Sequence, residues 1–281
     1  MRKVFCYAAS VSRDDSLDCP FPDNPPDNLP DNLPANLRLT ADGSATLYSS
    51  SYAQTLHSHK GALAEARHVF LQGAGVVARA QPGASLRVLE VGLGTGLNFL
   101  LTADTCWQQG AQLHYIALEH TLLPSASLQA LAYGQYLQQP ALWVAWLEWY
   151  QQLAATLSGS LTESITGSVM RWQWAQGSVL ELRLGEATRQ QLAGLEVDAI
   201  YHDAFSPEAN PELWQPAFLQ MLYHALAPQG ILSSYCVKGQ VRRDLQALGW
   251  AVRKQPGPPG GKREMLQAAK DAAVLETLEK L

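Results

Sequence analysis

The segment best equipped for chemistry is Glu90-Val-Gly92-Leu-Gly94-Thr-Gly96, an acid followed by three alternating glycines. Glycines permit a sharp turn and let backbone approach a ligand closely. A dinucleotide fingerprint, G-x-G-x-x-G/A, would need Gly or Ala at position 97, where Leu97 stands. An acid beside the turn does little for a diphosphate. It suits S-adenosylmethionine (SAM), whose methionyl end carries an ammonium beside a carboxylate that the turn's N–H groups can meet. Glu90 is therefore expected to support the ammonium, directly or through water, with Gly92, Gly94, Gly96 and Asn98 lining the same site. Glu119 follows about 20 residues later, at a spacing that lets a carboxylate accept from both ribose hydroxyls, a feature NAD and SAM sites share. Glu186, in Gly185-Glu186-Ala187, is placed to accept from the adenine amine. Asp203, in His202-Asp203-Ala-Phe205-Ser-Pro207, is a candidate to orient an amine and accept its proton.

These residues need an alternating frame to position them. Arg87 to Val91, Leu113 to Glu119, Val179 to Leu184, Val197 to His202, Gly230 to Val237 and Trp250 to Lys254 read as strands, and Arg263 to Gln267 as a seventh. Helical patterns run from Gly96 to about Gln109, over 125–157, from Pro211 to Leu226 with Asn210 as N-cap, and from Gln240 to Leu248. Alternating strands and helices predict an α/β fold: a Rossmann-like, doubly wound, mostly parallel seven-stranded sheet of the class-I methyltransferase kind. Its ligands would lie at the carboxyl ends of the strands. Trp143, Trp146 and Tyr150 share one helix face and read as core packing. Ahead of this domain (85–281), an N-terminal extension (37–84) begins with a hairpin signal around Asp42-Gly43 and continues as a helix from Gly61 to Ala80. Residues 1–36 include a short Asp-Asn-(Leu)-Pro repeat and are expected to form a disordered leader.

Composition narrows the class. The chain has 281 residues, 47% of them hydrophobic, and a net charge of −5, so general attraction to polyanions is absent and any nucleic-acid contact needs a local basic patch. Its four cysteines, Cys6, Cys19, Cys106 and Cys236, form no C-x-x-C pair, which argues against zinc or another metal and for a reducing compartment. The start breaks too early for a secretory signal, and no apolar run of about 18 residues spans a membrane, so a cytoplasmic location is expected.

Several motifs in order resemble the methyltransferase domain of MnmC and its stand-alone relatives. They are Asp42-Gly43-Ser44, Leu47-Tyr48-Ser49, His57-Ser58, Gly61-Ala62, Glu65, His68-Val69-Phe70-Leu71, Gly94-Thr-Gly-Leu-Asn98-Phe99, Asp203-Ala-Phe-Ser-Pro207, Asn210-Pro-Glu-Leu-Trp214 and Lys262-Arg263-Glu264-Met265. The resemblance spans roughly residues 37 to 268. It implies SAM-dependent N-methylation of 5-aminomethyl-2-thiouridine at the tRNA wobble position, with Asp203 as catalytic aspartate and Glu90, the glycines and Glu119 lining the SAM site. It also puts Phe205, Pro207 and Trp214 on the substrate side. Glu186 stands where an Asp is more usual. No second glycine fingerprint accompanies an FAD-dependent oxidase, so precursor formation is expected from separate proteins, without FAD here.

Lys238, Arg242, Arg243, Arg253, Lys254, Lys262 and Arg263 make 238–263 the most basic stretch of the chain. Arg242, Arg243, Lys262 and Arg263 are candidates for tRNA phosphates, with ordinary solubilising charge as the competing account. His57, His59 and Tyr48 belong either to the pocket or to packing. Two other functions remain open at this point: a spermidine-synthase-like transferase acting on a small amine, and a non-catalytic SAM-binding interaction module.

Overall fold

The structure, a computed structural model, describes residues 34–158 and 167–278. The leader expectation for residues 1–33 lies outside them; residues 34–36 lead into the first strand, where Asn36 O accepts the Tyr48 N–H at 2.7 Å. All described residues fall in a single contact unit, 32–281.

Leu37–Leu39 (β1) and Ala45–Ser49 (β2) pair antiparallel across the Asp42-Gly43 turn, and Gln54–Thr55 (β3) adds to β2. Asp42 ties this hairpin to the first helix: its Oδ2 accepts the Ala64 N–H at 2.9 Å. The expected helix from Gly61 to Ala80 is not one helix. It is Ala62–Glu65 (α1), a π-helical stretch Ala66–Gln72, and Val76–Arg79 (α2). The break falls at Gly73-Ala-Gly75. A Cβ at position 73 would stand 2.1 Å from the Val69 carbonyl and 2.3 Å from Met265, so close packing on the sheet requires glycine there. Gly75 has φ 74°, which ends the helical ladder before α2.

The main sheet is Ser85–Val91 (β4), Gln112–Glu119 (β5), Val169–Gln173 (β6), Val179–Leu184 (β7), Val197–His202 (β8), Leu226–Ser234 (β9), Ala251–Pro256 (β10) and Glu264–Ala269 (β11). Its order is β10-β11-β9-β8-β4-β5-β7-β6. Pairs β7/β5, β5/β4, β4/β8 and β8/β9 are parallel. The sheet therefore has eight strands, not seven. The extra one, β6, pairs antiparallel with β7, and its half-exposed alternation gave no apolar run to mark it. β9 starts earlier than Gly230, because Leu226 pairs with Val197 while Ile231 pairs with Ala199, leaving the Pro228-Gln229-Gly230 turn signals inside an irregular strand.

Helices cover the faces. Leu97–Gln109 (α3) follows β4 as expected. The helical stretch 125–157 is Ser125–Ala130 (α4), a 3₁₀ turn Tyr133–Tyr136, and Pro140–Ser158 (α5). Ala132, at φ 51°, interrupts the first part, and Pro140 is pre-organised to start the last. The helix expected from Pro211 is a 3₁₀ turn Pro211–Trp214, then Pro216–Ala225 (α6). Gln215 precedes proline and is extended (ψ 149°), which forces the break. Asn210 makes no capping bond; its amide donates to Glu212 instead. Gly239–Ala247 (α7) and Ala272–Leu278 (α8) complete the set.

β4 lies at the switch point, with β5 on one side and β8 on the other. The extension helices run along one face. Ser233 Oγ donates to Val69 O at 2.5 Å, Gln267 Nε2 to Gly73 O at 2.6 Å, and the Arg79 guanidinium to Asp198 O at 2.7 Å. Trp143, Trp146 and Tyr150 are buried as expected, with Trp146 fully enclosed and its ring 5.5 Å from Trp143 and 5.4 Å from Tyr150. Trp146→Ala is expected to cost about 3–5 kcal/mol, read by urea unfolding. A cost under about 1 kcal/mol would contradict its place in the core.

Candidate functional site: a carboxyl-rich cleft at the glycine turn

Gly92, Gly94 and Gly96 all have positive φ, at 90°, 51° and 77°. Gly96 is the left-handed N-cap of α3, so the turn directs that helix's N-terminus at the carboxyl edge of the sheet. Packing forbids side chains here. A Cβ on Gly96 would meet Trp146 at 2.7 Å, and one on Gly92 would meet the Asp203 carbonyl at 3.2 Å.

Glu119, half-buried at the end of β5, accepts the Gly94 N–H at 2.9 Å and the Thr121 N–H at 2.9 Å. Burial raises its carboxyl despite those bonds. Glu186, after β7, pairs with His120 at 3.1 Å, so the two acids read as nucleoside contacts stand on the neighbouring loops after β5 and β7.

Glu90 lies near the carboxyl end of β4. It is fully buried, and Asn98 stands between it and Asp203. Asn98 Nδ2 donates to Glu90 Oε1 at 2.9 Å and to Asp203 Oδ2 at 2.8 Å. Glu90 is thereby linked to Asp203 through the Asn98 amide. Burial pushes the Glu90 carboxyl up to about 8, against the pull of Asn98 and Tyr115. Burial, followed by the charges of Glu65 and Glu90, raises Asp203 well above the usual carboxylate range, while Asn98 and Lys262 lower it. Glu90 Oε2, Asn98 Oδ1 and the Tyr115 hydroxyl are among the buried polar atoms that make no well-formed hydrogen bond within the described residues, although Tyr115 is near enough to act on Glu90.

The extension closes over this edge. His57 is buried between Thr46 Oγ1 (2.9 Å) and Thr95 Oγ1 (3.4 Å), and Tyr133 bridges Ala45 O and Thr95 Oγ1. Burial lowers His57 to about 4, so it is a neutral strut against the glycine turn. Tyr52 stacks on Phe205 with ring centroids 4.1 Å apart, and Gln54 Nε2 donates to Ser206 Oγ at 2.8 Å. Trp214 is buried, with its indole N–H on the Phe205 carbonyl at 2.8 Å, so it braces the Asp203 loop from behind. Pro207 lies on the far side of that loop, in a cavity of about 400 Å³ that Lys238 and Val241 also line. Tyr48 is 36% exposed, beside Arg38.

The basic stretch divides. Lys238 pairs with Glu208 and Lys254 with Glu264, and Arg253 donates to Gln267. No carboxylate pairs with Arg242, Arg243 or Arg263 among the described residues; Arg243 and Arg263 are exposed, Arg242 half-buried. Sequence reasoning missed Tyr52, Gln54, Tyr115 and Tyr235, and assigned Glu65 no role. A tyrosine inside an apolar strand was the available signal for Tyr115. Cys106 and Cys236 are free and buried, and Cys6 and Cys19 lie outside the described residues. Among the described residues no helix is long and apolar enough to cross a membrane, and no group of three or more His, Cys, Asp or Glu could hold a metal ion.

A family model described as S-adenosyl-L-methionine-dependent methyltransferase matches residues 149–271, which include Asp203 and Lys262 but not the glycine turn. The chain is 36% identical, over 238 residues and 83% of its length, to the tRNA 5-methylaminomethyl-2-thiouridine biosynthesis bifunctional protein MnmC of Ralstonia nicotianae, covering 34% of that protein. The protein of the same name from Azoarcus sp. is 35% identical over 82% of this chain and 35% of its own length. The chain thus spans about a third of the length of the curated relatives it matches. The solved structure of MNMC2 from Aquifex aeolicus shares the fold, with a TM-score of 0.64 over 89% of this chain and 77% of that chain, at 23% identity. Residues 149–271 thus match the S-adenosyl-L-methionine-dependent methyltransferase family, and over most of its length the chain is similar to the MnmC proteins, as its motifs indicated.

Glu90 has a pH consequence. Its carboxyl is raised to about 8 in the fold, so the folded chain holds a proton that the unfolded chain releases, and stability falls as pH rises from about 4.5 to about 8. Glu90→Gln removes this dependence. Its melting temperature relative to the native chain should be higher at about pH 8 than at about pH 5 in calorimetry, and a constant difference would contradict the buried, raised carboxyl.

Proposed function

We propose that this chain transfers a methyl group from SAM to the primary amine of 5-aminomethyl-2-thiouridine at the wobble position of tRNA, giving the methylaminomethyl form. The observation that carries the reading is Asp203, fixed by Asn98 at the end of β8 and directly across the switch point from the glycine turn. The names of the MnmC relatives support the substrate.

The site fits SAM on its own terms. The glycine turn keeps Cβ atoms out of the approach, α3 directs its N-terminus there, and Glu119 and Glu186, at the ends of neighbouring strands, would offer acceptors to a ribose and an adenine amine. Gly92, Gly94, Gly96, Asn98 and Glu119 would hold the cofactor, with Glu90 acting through Asn98. When bound, SAM supplies a methyl group on a positively charged sulfur. The chain's part is to present a nucleophile in line with it.

A primary amine is protonated near neutral pH and has no lone pair to offer. Asp203 holds the ammonium through Oδ1, which takes no hydrogen bond from the described residues, while Asn98 keeps Oδ2 in place. A cation against Asp203 favours its ionised form, and its environment makes that carboxylate a stronger base than an ordinary aspartate. The amine gives its proton to Asp203 and so offers a free lone pair to the methyl group that bound SAM would supply, whose sulfur would keep the bonding electrons. Arg242, Arg243 and Arg263 are proposed to meet tRNA phosphates, with the cytoplasm as the place of action.

Asp203→Ala should lower transfer of labelled methyl into tRNA lacking the final wobble methylation by at least about a hundredfold, while SAM affinity largely survives. Full activity in that variant, or label in a small amine and none in tRNA, would overturn the reading. Arg242→Glu with Arg243→Glu should weaken tRNA binding and flatten its salt dependence by about one unit of slope per lost contact. Unchanged affinity and slope would leave these arginines no phosphate role.

A further inference from the structure

Glu65 is the carboxyl that the proposed transfer leaves unused. It is 5% exposed, at the end of α1, and its Oε2 accepts the Ser58 N–H at 2.7 Å. No second hydrogen bond from the described residues reaches it. Its charge acts on Asp203 and raises that carboxyl, so the two acids bear on the same cleft. A buried carboxylate without a partner is costly, and a pair of them more so.

The cation that offsets both is Lys262. It comes from the loop between β10 and β11, which carries Gly260 at φ 73° and Gly261, and it is exposed. Its ammonium sits 3.9 Å from the centroid of the Tyr235 ring. That ring is fixed in place, since the Tyr235 hydroxyl donates to the Ala204 carbonyl at 2.8 Å, one residue beyond Asp203. Lys262 makes no ion pair within 4.0 Å with any described carboxylate, although its field reaches two of them. It is held by an aromatic face and by charge at a distance, an arrangement that selects an ammonium without binding this one tightly.

We infer that the Tyr235 face, Asp203 and Glu65 form the subsite for the ammonium of the acceptor, and that Lys262 occupies it until a substrate amine takes its place. This deepens the proposed function and rests on it. The subsite selects a primary or secondary ammonium at the end of a short arm. A neutral hydroxymethyl group of similar size would leave both carboxyls uncompensated. The displaced Lys262 swings out beside Arg263, where an RNA phosphate can receive it.

Two measurements test the inference, one without turnover. In the substrate-free protein the ε-methylene protons of Lys262 should resonate upfield under the Tyr235 ring. They should return to ordinary lysine positions when 5-aminomethyl-2-thiouridine nucleoside is added, and should never show the ring shift in Tyr235→Leu. In kinetics with the aminomethyl tRNA, Tyr235→Leu and Glu65→Gln should each raise the acceptor KM about tenfold with SAM affinity kept within about twofold. Tyr235→Phe, which keeps the ring, should recover most of that loss. Lys262→Met, an exposed change, should lower the KM for the nucleoside because the competing ammonium is gone. An unshifted Lys262 signal, a signal indifferent to the nucleoside, or a raised nucleoside KM in Lys262→Met would overturn the subsite. A native chain that methylates no tRNA, yet shows the ring shift relieved by a small alkylammonium, would sink the tRNA reading and leave the ammonium subsite standing.

Discussion

Asn98 ties together two carboxyls that would otherwise repel. One of its amide protons goes to Glu90 at the end of β4 and the other to Asp203 after β8. These adjacent strands meet at the switch point of the sheet, where the chain reverses direction across the fold and a crevice must open. Without the amide, two acids in a poorly solvated edge would each demand a proton or a cation of its own. With it, Asp203 has one oxygen anchored and one turned to the cleft. Asn98 can do this because Gly96 starts α3 in the left-handed region, which places position 98 in the first turn of the helix, over the ends of both strands.

The same constraint explains the extension. The cleft gathers several buried carboxyls whose protons and partners depend on their exact placement, so its walls must be held in position. His57, neutral and buried, pins the hairpin to Thr95 in the glycine turn. Tyr52 and Gln54 fasten the next loop to Phe205 and Ser206. Arg79 anchors the far end of the helical segment at Asp198 and Gln229, so it spans the sheet from its carboxyl edge to the opposite one. Glu65 thereby arrives beside Asp203 from an element that precedes the sheet altogether. The cations that complete the site come from outside the fold's core: Lys262 from a glycine-rich loop, and, in the proposed reaction, the cofactor and the acceptor.

Much of the frame was legible in the residues. The strands with continuous apolar runs, β4, β5, β7 and β8, were found because burial on both faces leaves a local signature. The acid-glycine turn, Glu119 and Asp203 were singled out because their chemistry depends on sequence spacing, and the fold brings them to one edge of the sheet. β6 was missed because an edge strand half in solvent has no such signature, and the helix breaks at Gly73 and Gln215 were missed because tertiary contact and a following proline decided them. Within the site, Glu90 was expected to support a ligand ammonium directly or through water. Its hydrogen bond to Asn98 and the approach of Glu65 and Tyr235 are products of long-range packing, which spacing along the chain does not encode.

Through its hydrogen bond to Oδ2, Asn98 is expected to set the basicity and position of Asp203. Single-turnover methyl transfer measured against pH, for the native chain and for Asn98→Ala, tests it most directly. Loss of the amide removes a bond that favours the ionised Asp203, so the acidic limb of the profile should move to higher pH. The plateau rate should fall by about tenfold or more as Oδ2 loses its anchor. A profile and plateau unchanged from the native chain, with SAM saturating in both, would contradict the account.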